Sequence, residues 1–191
     1  MTRIRAVSGS LRARSTNTTL LLAAARLAPA DVQIELYEGL GDLPLFNPDL
    51  DGKEPESVRE FQAALAAADG ILICSPEYAH GVSGAMKNAL DWLVSDVALV
   101  GKSVALINAS PRATYAQEAL LETLRTMSWN VVANASRTVP VPRPGLSVDE
   151  ILGDEILRPE LDRAIREFVD AIRNRTRTPV ARDVGRGSST A

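Results

Sequence analysis

The chain has 191 residues, 46% of them apolar, which is material for one domain with a buried core of ordinary size. Its 21 Lys and Arg against 24 Asp and Glu leave a formal charge of −3, so nothing in the charge balance calls for nucleic acid or an anionic membrane as partner. With Cys74 as the single cysteine no internal disulfide can form, and the first seven residues contain no apolar stretch of signal-peptide length, so a cytoplasmic protein acting on a small molecule is the expectation.

In chain order, short apolar runs at 4–7, 71–74 and 104–107 lack polar alternation and read as strands covered on both faces. Residues 32–37 alternate more and suit a strand nearer an edge. Between these runs, 17–27, 55–67, 85–94 and 115–127 show helical spacing. A fifth strand fits either 130–133 or 137–141, the second closed by prolines. Residues 158–173 then form an amphipathic helix with Leu161, Ile165, Phe168, Val169 and Ile172 on one stripe. Strand and helix alternating in this way specify an α/β three-layer sandwich, and the element count favours a five-stranded parallel sheet in the flavodoxin-like order 2-1-3-4-5. Residues 1–173 make this domain. From 174 to 191 the chain turns to Arg, Thr, Gly and Ser and reads as a poorly packed tail.

In such a sheet ligands gather beyond the carboxyl ends of the strands where strand order reverses, so the loops after strands 1, 3 and 4 are the places to search. The first, running from Ser8 to Thr19, is dense in hydroxyls and carries Arg12, Arg14 and Asn17 directly before a helix. Hydroxyls and free amides at a positive helix end make a phosphate site, although Ser15 or Asn17 would cap this helix with or without an anion. The loop matches neither the dinucleotide G-x-G-x-x-G nor the nucleotide-triphosphate loop. After the third strand, Ser75 to Gly84 contains Pro76, Glu77, Tyr78 and two glycines, a combination that lets backbone approach a flat heteroaromatic ring.

The segment S-x-R-x-x-S-x-N after the first strand, together with P-E-Y and then K-N-A-L-D-W after the third, resembles the NADPH-dependent FMN reductase family, which includes quinone, azo-dye and chromate reductases. The resemblance implies FMN as cofactor and NADPH or NADH as electron donor. It implies a phosphate loop of Ser10, Leu11, Arg12, Ser15 and Asn17, an isoalloxazine lying along Pro76, Glu77 and Tyr78, and Ser110 completing the site. It also implies a homodimer or a dimer of dimers and a small-molecule acceptor; with a single open flavin face and no evident second redox centre, donor and acceptor are expected to take that face in turn. Three departures stand out. Many relatives have Asn after P-E-Y and Pro before the next Gly, where this chain has Ala79 and Ser83, and the loop after strand 4 reads S-P-R-A-T-Y instead of Gly-rich. His80 and Arg112 are the candidates for an acceptor or nicotinamide pocket.

Other residues have simpler readings. Cys74 ends a buried strand, Trp92 suits core or subunit contact, and Lys87 with Asp91 makes an i, i+4 pair. No cluster of His, Cys and carboxylates suggests a metal. The competing functions are a flavodoxin-type electron carrier, whose Thr-rich loop and strongly acidic surface are missing here, and a flavin-free binding protein on the same scaffold.

Overall fold

The computed structural model describes residues 1–177. Strand β1 (Thr2–Ser8) leads through helix α1 (Thr16–Leu27), β2 (Val32–Tyr37) and α2 (Glu56–Ala66) to β3 (Gly70–Cys74). A short antiparallel hairpin, β4 (Glu77–Tyr78) and β5 (Gly81–Val82), precedes α3 (Gly84–Asp91). Then come β6 (Ser103–Asn108), α4 (Thr114–Thr126), β7 (Asn130–Val131), β8 (Arg137–Thr138), α5 (Val148–Gly153) and α6 (Leu157–Arg177). The main sheet runs β2-β1-β3-β6-β7, with β8 also on β6 and every pairing parallel. This is the flavodoxin-like order, with β2 at one edge.

Period-two alternation along the buried strands divides the core. Ile4, Ala6, Leu72, Cys74, Ala105 and Ile107 pack with α1, α5 and α6, while Val7, Ile71, Ile73, Val104 and Leu106 pack with α2, α3 and α4. Helices therefore cover both faces, which is why the strand runs contain almost no polar residues. The α6 stripe of Leu161, Ile165, Phe168, Val169 and Ile172 is buried throughout. Trp92 is buried too, and its indole N–H donates to the carbonyl of Pro44 at 2.8 Å.

Both candidates for the fifth strand form. β7 pairs with the first half of β6, at Ser103 and Val104, and β8 with its end, at Ile107 and Asn108. Between them the ladder breaks, and the Leu106 N–H donates to Ser136 Oγ at 3.1 Å while that hydroxyl donates to the Val132 carbonyl at 2.9 Å. One serine thus patches a gap that would otherwise leave a buried amide unpaired.

Helix α6 continues four residues past the expected stop, so 174–177 belong to it; the rest of the expected tail lies outside the described residues. The hairpin and α5 were not anticipated, although S-x-x-E at Ser147 to Glu150 is a capping-box signature, and both of its reciprocal bonds are present. Among the described residues no helix is long and apolar enough to cross a membrane, and no group of His, Cys, Asp and Glu is placed to hold a metal. Replacing Ser136 by Ala should cost about 1–3 kcal/mol of stability by orphaning the Leu106 amide, measured as a lower urea midpoint at unchanged slope.

Candidate functional site

The loops after β1, β3 and β6 lie at one end of the sheet, and the first two are joined at Gly9. Its N–H donates to the Cys74 carbonyl at 2.8 Å, and its carbonyl accepts from Ser83 Oγ at 2.6 Å. A Cβ at this position would lie 2.2 Å from Ser75 Oγ and 3.1 Å from Ser75 Cα, so only glycine permits the approach. Ser83 also caps α3, its side chain accepting from the Met86 amide. The serine that stands where many relatives have proline is therefore a tie between two loops.

The first loop delivers α1 to the site. Ser15 is its N-cap, accepting from the Thr18 amide, so one of the expected phosphate residues is occupied in capping. The amides of Thr16 and Asn17 precede the first intrahelical bond and sit at the positive end of the helix. Asn17 is buried, with its side-chain oxygen accepting from the Cys74 thiol at 3.1 Å. Burial pushes the Cys74 thiol pKa well above its ordinary range, so it stays a donor and has no nucleophilic character. Ser10 is buried and accepts from the Arg12 amide, whereas Leu11 and Arg12 are exposed.

The P-E-Y loop is the β4–β5 hairpin, and its two turn residues, Ala79 and His80, both have positive φ, at 50° and 58°. This is the primed two-residue turn that matches strand twist, a conformation that Asn and Gly adopt at low cost and Ala does not. An Asn at this point would have a backbone reason that Ala79 lacks. His80 stacks on Tyr115 of α4, ring centroids 4.3 Å apart. Glu77 turns to α4 as well: its Oε2 accepts from the Ala116 amide at 2.9 Å.

In the loop after β6, Asn108 does the organising. Its side chain accepts from the Ser110 amide and donates to the Ala113 carbonyl, and Ser110 Oγ accepts from the Arg112 amide. The result is a cleft of about 360 Å³ walled by Thr16, Asn17, Pro76, Glu77, Ser110 and Arg112, with Val141, Pro142, Arg143 and Pro144 closing one side. Of the sequence candidates, Asn17, Pro76, Glu77, Ser110 and Arg112 line it. Leu11, Arg12 and Tyr78 instead border a second cavity of about 370 Å³, with Gly9, Ser83, Gly84 and Ala85. Ser10, Ser15 and His80 line neither. Asn108, Ser75, Ser83 and the 141–144 strap are site residues that motif reading missed; a polar residue closing an apolar strand, as Asn108 does, is the one signal that could have found them. Among the described residues Arg12, Arg14 and Arg112 make no ion pair, while Arg143 is paired with Glu150 at 2.7 Å.

Residues 2–144 match the family model for NADPH-dependent FMN reductase. The chain belongs to that family. The 2-hydroxy-1,4-benzoquinone reductase of Burkholderia sp is 46% identical over 90 residues, 47% of this chain and 49% of that protein. The Escherichia coli K12 quinone reductase is 35% identical over 106 residues, 53% of this chain and 56% of that one. The chain thus matches about half the length of these curated reductases. A longer match, 32% identical over 170 residues and covering 86% of this chain and 84% of the relative, is to subunit CrdA of an NADH:(hydroxy)cinnamate reductase from Vibrio ruber. Among solved structures, the flavoenzyme FerB of Paracoccus denitrificans, an NAD(P)H:(acceptor) oxidoreductase, superposes with a TM-score of 0.73 at 28% identity, over 91% of this chain and 98% of that one.

FMN is the family's cofactor and NAD(P)H its electron donor, and the cleft's donor set fits such a group. First-turn amides of α1 suit an anion, the unpaired Arg112 guanidinium supplies positive charge in a chain that is acidic overall, and Pro76, Val141, Pro142 and Pro144 offer apolar walls. Relief of the left-handed strain gives a direct check on the hairpin. Ala79→Asn should stabilise the protein by about 0.5–1 kcal/mol, seen as a higher melting temperature, because Asn tolerates positive φ.

Proposed function

We propose that the protein is an NAD(P)H-dependent reductase of a small organic acceptor, a quinone first among the candidates, with FMN held in the cleft between α1 and the P-E-Y hairpin. The observation that carries this reading is the convergence, at the carboxyl ends of β1, β3 and β6, of an anion-binding helix start with a proline-bounded slot. Bound FMN would supply the redox chemistry, accepting electrons from the nicotinamide and passing them to the acceptor.

The chain's own residues hold and orient. Asn17 lines the cleft at the start of α1, and Ser10, Leu11, Arg12 and Ser15, in the loop that leads to it, are proposed to hold the phosphate with it, in part through backbone amides, with Arg12 contributing charge from the second cavity. Pro76, Glu77 and Ser110 border the place for the ring, Glu77 through its backbone since its carboxylate is engaged by Ala116, and Tyr78 stands on the second cavity at the end of the same segment. None of these needs to act as acid or base. His80 is stacked on Tyr115 and is assigned no proton transfer. Arg112 lines the cleft without a carboxylate partner and suits an anionic acceptor or the donor's phosphates. That two relatives are named for a hydroxybenzoquinone and a (hydroxy)cinnamate supports the first. Exposed Leu11 and Tyr78 beside the second cavity support assembly into a homodimer, or a dimer of dimers, over the start of α3.

Oxidation of NADH and NADPH by FMN-loaded protein, assayed against hydroxyquinone, neutral quinone, hydroxycinnamate, ferric chelate, chromate and oxygen, tests the proposal. Quinone-dependent turnover with parallel double-reciprocal plots is expected, since donor and acceptor use one opening in turn. Arg12→Ala should weaken FMN binding by about 1.5–3 kcal/mol with folding intact, and the loaded protein should sediment above monomer mass. Loaded protein that leaves both nicotinamides unoxidised would support the carrier reading, and protein that never binds FMN the flavin-free one.

A further inference from the structure

We propose that Glu77 is a positioning residue, which sets the loop after β6 against the cleft by capping helix α4 from another part of the chain. Helix α4 begins after Ala113, a residue with no side chain able to cap it, and no side chain of its own loop takes that role. Helix starts leave amides that need acceptors, and Ala at this position is among the poorest choices. The acceptor here is the Glu77 carboxylate, at 2.9 Å from the Ala116 amide and 39 residues away in sequence. Negative charge at the positive end of the helix adds to the bond.

The consequence reaches the site because of what lies between the two anchors. Asn108 holds one end of the loop, bonding to Ser110 and Ala113, and the Ala113 amide donates to the Ser110 carbonyl at 3.1 Å. Glu77 holds the other end through Ala116. Within that span lie Ala109, Ser110, Arg112 and Ala113, all on the cleft wall. The His80–Tyr115 stack lies beside the same joint and keeps the hairpin against α4. A local cap would secure the helix equally well but would not tie it to the hairpin. The long-range cap makes the separation of two cleft walls depend on the Glu77 carboxylate together with that stack.

This inference supplements the proposed reductase reading, and two readouts keep them separable. Ala113→Ser gives α4 a local cap on the same Ala116 amide, so the variants Glu77→Ala, Glu77→Gln and Glu77→Ala with Ala113→Ser are compared by melting temperature, FMN titration and amide hydrogen exchange. Glu77→Ala should lower the melting temperature and weaken FMN binding about tenfold, in the range for one lost charged hydrogen bond. Adding Ala113→Ser should restore the melting temperature and the protection of Ala116. The FMN dissociation constant should stay raised, and residues 109–112 should still exchange faster than in the parent. Glu77→Gln, which keeps an acceptor oxygen, should remain within about threefold of the parent in FMN affinity, the loss expected when only the charge assistance goes. Recovery of loop protection by the local cap, or of FMN affinity with it, would overturn the proposal, as would Glu77→Ala binding FMN like the parent. If the parent takes no FMN, the exchange pattern still decides the role of Glu77, while the reductase reading fails on its own.

Discussion

The site depends on one close approach of backbone to backbone. Gly9, at the end of β1, touches the Ser75 main chain at the end of β3, and no side chain fits between them. The two bonds at Gly9, from its amide to Cys74 and to its carbonyl from Ser83, convert that contact into a fixed junction. From this point α1 starts on one side and the P-E-Y hairpin on the other. Each supplies a cleft wall: helix amides for an anion, and a proline-bounded backbone for a ring.

Around the junction, polar side chains that resemble catalytic groups are mostly engaged in holding loops. Ser15 and Ser83 cap helices, the Asn17 side-chain oxygen accepts a hydrogen bond from the Cys74 thiol, Asn108 closes its own loop, and Glu77 caps α4. A site made in this way positions a redox-active group and leaves the chemistry to it. In the loops after β1 and β6, Arg12, Arg14 and Arg112 make no ion pair among the described residues and are charges available to anionic ligands.

Much of this was legible in the residues themselves. The apolar runs of β1, β3 and β6 stand out because helices cover both of their faces, and the α6 stripe because its period is clean. The hydroxyl-rich loop from Ser8 to Thr19 and the P-E-Y segment stand out by their position after strands. What was not legible depended on long-range partners. Glu77 gives no hint in sequence that its acceptor role is met by Ala116, and Ser136 none that it repairs the ladder at Leu106. His80, the only histidine, suggested a pocket residue, yet turn geometry directs it to Tyr115. The two competing fifth strands could not be ranked because both are used, each pairing with a different part of β6.

The central claim is that the junction at Gly9 builds the FMN site, and Gly9→Ala measures it most directly. A methyl group there must push the first and third loops apart, since Ser75 backbone as well as its side chain stands in the way. Titration of the folded variant with FMN should show affinity reduced by a factor of about 100 or more, equivalent to at least about 2.7 kcal/mol, with far-UV circular dichroism unchanged. Parent-like FMN affinity in a folded Gly9→Ala protein would contradict the account.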